Sequence, residues 1–218
     1  MVFKKGQYED RVEAGRYLAK DLVHLADEKP VVVGLPRGGV AVAAEVARAL
    51  GCELDVIMAG KLKAPLNPEL AIGAVTEDGA VYLNRDVLGY MHITGEYLEE
   101  EKKRRLGGLR ERLSQYRLVK GRVSLEGRTV IIVDDGLATG STMISAVQAA
   151  HASGAVKIVV AVPGGPEDTV ERISAIKEVS MVVCPLKPPL FFAVSQLYMD
   201  FRQIEDFEVI EILKEFGP

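Results

Sequence analysis

Short apolar runs recur along the chain, and helix-like stretches separate most of them. VVVGLP (31–36), LDVIMA (54–59), TVIIV (Thr129–Val133), VKIVVAVP (156–163) and VSMVVCP (179–185) are each about the length of one strand. Between them lie VAVAAEVARALG (40–51), GSTMISAVQAAHASG (140–154) and EDTVERISAIK (167–177), where apolar residues recur at helical spacing. Gly51 and Gly154 stand where a helix commonly ends in a left-handed residue. Strand and helix in alternation predict βαβ units: an α/β fold with a mostly parallel, twisted sheet and helices on both faces. In such sheets ligands sit beyond the carboxyl ends of the strands, where the strand order reverses.

Other segments decorate that frame. Val12, Ala14, Leu18, Leu22 and Leu25 mark one face of an N-terminal helix. KLKAPLNPEL (61–70) has the prolines and polar residues of a loop, and AIGAVTEDGAVYLN (71–84) reads as two short strands around a Glu-Asp-Gly turn. GEYLEEEKKRRLGGLRERLSQYR (95–117) predicts a charged helix with Gly107 and Gly108 as candidate breaks. Its EEEKKRR run reads as a solvated face with i,i+4 pairs rather than a nucleic-acid contact. A net charge of −4 spreads no basic field, so nucleic acid and membrane surfaces are not expected partners. No apolar run approaches the ~20 residues that span a bilayer, the start carries no secretory pattern, and a cytoplasmic location is expected. Cys52 and Cys184 belong to no metal or redox motif and read as buried thiols. His24, His92 and His151 lack metal-ligand spacing.

Two loops fall at strand ends. In VIIVDDGLATGST (130–142) an apolar strand runs into Asp134 and Asp135, then into Gly136, Leu137, Ala138, Thr139, Gly140, Ser141 and Thr142. Small residues let backbone N–H groups converge at a helix N-terminus, and hydroxyls add donors, so this loop suits a phosphate monoester. A Walker A loop would need a Gly-Lys-Ser/Thr, and none is present. The acids then face vicinal hydroxyls, each a donor to a carboxylate. A ribose 5-phosphate unit offers a diol and a phosphate at opposite edges of one ring. The second loop, LPRGG (35–39), combines the planar fork of Arg37 with Gly38 and Gly39, which permit close backbone approach to anion oxygens. Alone it would be an ordinary turn; beside the first loop it reads as an anion site.

VIIVDDGLATGST resembles the ribose-phosphate signature of type I phosphoribosyltransferases, and LPRGG resembles their pyrophosphate loop. The resemblance covers most of the chain. It implies a single domain over 1–218, with a core of about 12–184 and a small hood from the terminal segments, chiefly 185–218. It also implies 5-phosphoribosyl-1-pyrophosphate (PRPP) with magnesium (Mg²⁺) as cosubstrate, a nitrogenous base as acceptor, a role in nucleotide metabolism, and a homodimer as the candidate assembly. Asp134 and Asp135 would hold the 2- and 3-hydroxyls, directly or through metal-bound water; Gly136 to Thr142 the 5-phosphate; Arg37, Gly38 and Gly39 the pyrophosphate. Lys61 and Lys63 lie where the family keeps a mobile flap, here 60–68, and one of them would reach the departing pyrophosphate. The tail FFAVSQLYMDFRQIEDFEV resembles that of an uncharacterised branch, where it roofs the acceptor, and Phe191, Phe192, Tyr198 and Phe201 are candidates to line it or simply to fill its core. The alternative reading is a PRPP-sensing regulator on the same fold.

Overall fold

The computed structural model describes residues 6–65, 71–83 and 93–217. Helix α1 (Arg11–Leu22) is followed by a 3₁₀ segment, Val23–Glu28, so Leu25 lies beyond the regular helix. Strand β1 (Val31–Gly34), helix α2 (Gly38–Leu50) and strand β2 (Glu53–Val56) come next. Strands β3 (Gly60–Lys63), β4 (Ala71–Val75) and β5 (Val81–Leu83) precede the long helix α3 (Gly95–Arg117). The remainder is β6 (Thr129–Val133), α4 (Ser141–Ala152), β7 (Lys157–Ala161), α5 (Glu167–Ser174), β8 (Val179–Val183) and α6 (Asp206–Glu215).

Five strands form a parallel sheet in the order β2-β1-β6-β7-β8. The central strands carry β-branched residues buried on both faces, as a sheet covered by helices on both sides requires. Alternation sorts them. Val32, Ile131, Val133 and Val159 pack with α1, α2 and the α6 residues Val209 and Leu213; Val31, Val33, Val130, Ile132 and Val160 pack with α4 and α5.

The second sheet, β3-β4-β5, is antiparallel. Its turn follows the Glu77-Asp78-Gly79 signal, with Gly79 at φ +90°. Residues 61–63 correct the loop reading. They pair with β4, because Leu62 buries with Ile72, Val75, Tyr97, Leu98 and Leu106 against α3. Residues 66–68 of the expected flap lie outside the described residues. The glycine pair does not interrupt α3, whose exposed Gly107 and Gly108 meet nothing within 4 Å, so helical backbone bonding continues through them. Nor is its acidic run wholly solvated. Glu101 is fully buried; burial works to raise its carboxyl, but Arg105, Arg104 and the Lys63 N–H override it and hold it low.

A buried ion network ties α3 and the small sheet to the large one. Asp55 of β2 accepts from Arg117 Nη1 at 2.6 Å and from the Val123 N–H at 2.9 Å, while Arg117 also pairs with Glu77 at 2.6 Å. Burial pushes the Asp55 carboxyl up despite Arg117, so this anion depends on its partner. Arg117→Met should cost about 3 kcal/mol or more in denaturant unfolding, because it strands a buried charge. Lys214→Met, which removes an exposed pair with Glu211, should cost under about 0.5 kcal/mol.

Candidate active site

The strand order reverses between β1 and β6, which lie side by side in parallel register up to Gly34↔Val133. Beyond β1 the chain enters residues 35–39; beyond β6 it enters 134–142. The two loops therefore meet where a ligand site is expected. A Cβ on Gly39 would stand 2.8 Å from the Asp134 Cα and Oδ1, and one on Gly38 would collide with Asp135 Oδ2. Only glycine lets the first loop lie against both acids. The intervening Pro36–Arg37 peptide is cis.

The second loop is braced on its inner side and open on its outer one. The Leu137 N–H donates to the Gly164 carbonyl at 2.8 Å, and Gly136 packs against Val194 and Leu197. Gly140 caps α4 at φ +73°, a conformation that suits glycine, and releases the chain into the helix. Ala138, Thr139, Ser141 and Thr142 remain exposed, with the Thr139 and Ser141 hydroxyls 3.3 Å apart. Amides and hydroxyls thus rim the positive end of a twelve-residue helix.

Asp134 and Asp135 are held differently. Asp134 is half-buried; desolvation first, then the adjacent Asp135, push its carboxyl well above the usual carboxylate range. Its Oδ1 accepts the Asp135 N–H at 2.9 Å. Asp135 instead accepts at Oδ2 from Arg11 Nε of α1, 2.8 Å away, and its carbonyl accepts from the Tyr198 hydroxyl at 2.5 Å.

The other candidates are spread around these loops. Arg37 pairs with Glu205 at 3.0 Å and lies 3.8 Å from Asp206. It faces a cleft of about 510 Å³ whose far wall is Arg112, Gln115 and Tyr116 of α3. Lys61 and Lys63 are half-buried on β3, and the Lys63 main chain is fixed by Glu101 at 3.1 Å and the Tyr97 hydroxyl at 2.9 Å. A larger cleft, about 830 Å³, opens beside Ala138 and Thr139 and is walled by Thr169, Arg172, Phe191 and Phe192. Tyr198 and Phe201 do not line it; they stack at 5.2 Å in a small core with Tyr8. The terminal segments build this hood jointly, since Tyr8 bridges Tyr198 and its hydroxyl donates to the Pro163 carbonyl at 3.0 Å.

Several of these residues escape a reading of the sequence alone. Arg11, Glu205 and Tyr198 approach the loops from far along the chain. Arg172, which donates to the Thr139 carbonyl, sits on an otherwise ordinary amphipathic helix. Only Arg11 carries a local signal: a cation in the first turn of a helix stands at the wrong end of the dipole.

A family model of the phosphoribosyl transferase domain matches residues 5–201. The chain belongs to the phosphoribosyltransferase family. Two Mycobacterium tuberculosis proteins, of strains H37Rv and CDC 1551, carry the provisional name phosphoribosyl transferase. Each is 46% identical over 206 residues, covering 94% of this chain and 46% of the relative. The chain thus spans about half the length of these curated relatives. The crystal structure of TT1426 from Thermus thermophilus is 44% identical, with a TM-score of 0.89, covering 97% of this chain and all of that one. A parallel sheet with helices on both faces is therefore both the expected and the observed architecture of this phosphoribosyltransferase chain. Among the described residues no helix is long and apolar enough to cross a membrane, and no cluster of His, Cys, Asp and Glu could hold a metal ion.

The raised Asp134 carboxyl has a consequence for stability. The folded chain keeps a proton that the unfolded chain has already lost, so stability falls as pH rises from the ordinary carboxylate value through the raised one. Asp134→Asn, which retains the Oδ1 acceptor, should raise the ligand-free Tm at neutral pH. The expected gain is about 2–4 °C, the shift that roughly 1 kcal/mol gives in a domain of this size. Melts at successively lower pH should show it fading as pH approaches about 4.

Proposed function

We propose that the chain transfers the 5-phosphoribosyl group of PRPP to a nitrogenous base and releases pyrophosphate. The observation that carries this reading is the meeting of the two loops: an acid pair lies pressed between the two glycines that open α2 and a hydroxyl-rimmed helix N-terminus. One molecule offers a diol flanked by a diphosphate and a monophosphate in that order. On this reading residues 136–142 take the 5-phosphate, Asp134 and Asp135 the hydroxyls, and Arg37 with the Gly38 and Gly39 amides the pyrophosphate.

In the transfer the bond between ribose C1 and pyrophosphate breaks, its electron pair leaves with the phosphate oxygen, and an acceptor nitrogen bonds to C1 and gives up its proton. Positive charge develops on the ring as negative charge grows on the leaving group. The chain's part is to orient the ribose, meet the departing charge with Arg37 and backbone amides, and exclude water. A magnesium ion brought by PRPP would be held near Asp134 and Asp135, directly or through water, since hard oxygen ligands suit it. Bound there, it would neutralise phosphate charge. The cleft beside Ala138 and Thr139, with Phe191 and Phe192 on its wall, is the place for the acceptor ring. That cleft favours transfer over a purely PRPP-sensing role.

PRPP-dependent nucleotide formation, tested on purines, pyrimidines and smaller nitrogenous acceptors with pyrophosphate release as a second readout, decides the matter. Calorimetric binding of Mg²⁺·PRPP with no turnover on any acceptor would favour the sensor; no binding at millimolar PRPP would remove both readings. Asp134→Asn with Asp135→Asn should weaken PRPP far more than pyrophosphate. Lys61→Ala or Lys63→Ala should lower kcat about tenfold or more, roughly 1.4 kcal/mol of transition-state stabilisation, with little change in PRPP affinity.

Arg37 must leave Glu205 to meet pyrophosphate. Glu205→Gln should therefore tighten pyrophosphate binding about two- to fivefold, the equivalent of an exposed ion pair of about 0.5–1 kcal/mol. Unchanged affinity in that variant would mean that Glu205 does not compete with the ligand.

A further inference from the structure

Arg11 has no role in the reading above, yet it is the cation that meets the acid pair. Its side chain is 8% exposed, and three different groups hold it. Nε donates to Asp135 Oδ2 at 2.8 Å, Nη1 donates to the Arg202 carbonyl at 2.8 Å, and the guanidinium lies 4.1 Å from the centre of the Phe201 ring. A Cβ on Gly38 would stand 2.9 Å from Nε, so the pyrophosphate loop shares this corner.

Helix stability does not account for the arrangement, and an ion pair is not needed to hold the fold. A first-turn arginine opposes the helix dipole. A buried ion pair is weak support for a fold, since apolar residues of the same volume often do as well. What the arrangement supplies is a fixed position for one carboxylate. Asp135 is clamped at both ends, its side chain by Arg11 and its main-chain carbonyl by Tyr198 at 2.5 Å, and both clamps come from the terminal segments.

We propose that Arg11 is a positioning residue of the ribose subsite: it fixes the Asp135 carboxylate in the orientation that accepts a ribose hydroxyl, and it anchors the hood to the same point through Arg202 and Phe201. This rests on the PRPP reading given above. A lysine could match the charge but not the planar fork that reaches Asp135 and the Arg202 carbonyl while lying on an aromatic face.

The test uses ligands that differ by a single hydroxyl. Wild-type protein should bind ribose 5-phosphate about tenfold or more tightly than its 2-deoxy or its 3-deoxy analogue, the range set by a hydrogen bond to a charged group. In R11Q that discrimination should fall towards unity for at least one analogue, and D135N should lose the same discrimination. The double variant should lose no more than D135N alone, because Arg11 acts through Asp135. R11K should recover part of the preference. A merely structural Arg11 would weaken all three ligands alike and leave the ratios intact; that result, or additive losses in the double variant, overturns the proposal. If R11Q fails to fold, R11K carries the test: full wild-type discrimination in it would overturn the proposal. Wild-type protein that binds neither PRPP nor ribose 5-phosphate would refute the functional reading and this inference with it; intact discrimination in both R11Q and wild type refutes only the inference.

Discussion

Two carboxylates at the end of β6, pressed against the glycines that begin α2, set the terms for the rest of the molecule. Anion loops need convergent backbone N–H groups and no intruding side chains; a diol site needs carboxylates close by. The demands oppose each other electrostatically, and adjacent acids in protein surroundings repel. The chain relieves the conflict on one side only. Asp135 is matched by Arg11, whereas the half-buried Asp134 beside it has its carboxyl pushed towards the protonated form. On the proposed reading, such a site is left frustrated without ligand, is completed by hydroxyl donors, and trades stability for binding.

Sheet topology makes this possible. Because β1 and β6 are neighbours although β2 to β5 and α3 intervene in the chain, two loops distant in sequence share one corner. The second sheet and α3 are then tied back to β2 through Asp55 and Arg117, which brings Arg112 and Gln115 across the cleft from Arg37. The terminal segments close the opposite side, with Tyr8 paired to the tail and Leu197 packed over Gly136 and Gly164. Each wall of the site thus belongs to a different stretch of chain.

The large sheet was legible in the sequence because its central strands are almost wholly apolar and its helices keep a clear period, and both loops were legible because glycine and hydroxyl residues at strand ends carry a local chemical meaning. Strand β3 was not. Leu62 alone reports its burial, and the flanking lysines and nearby prolines outweigh one apolar residue in any local reading. The buried Glu101 was hidden in a run of like residues, since which member of EEEKKRR faces the Lys63 amide depends on a sheet packed from elsewhere. Tyr198 and Phe201 were marked as aromatic, but core and cleft look alike in sequence; their neighbours Arg11 and Tyr8 decide it.

The two arginines that meet these loops divide rigidity from exchange. Arg11 is buried, held by three partners, and tied to the Asp135 carboxylate; freeing it would strand Asp135 beside Asp134. Arg37 has a side chain 36% exposed and is held by carboxylates that are themselves about half exposed, a pairing of the kind that contributes under about 1 kcal/mol. Glu205 and Asp206 keep the guanidinium near the cleft without binding it strongly. On the proposed reading a diphosphate, with more charge and a better match to the planar fork, would displace them at small cost. The site, on that reading, must hold a sugar steadily and let a leaving group go. Burial would suit the first arginine to the one task, and exposure would leave the second available for the other.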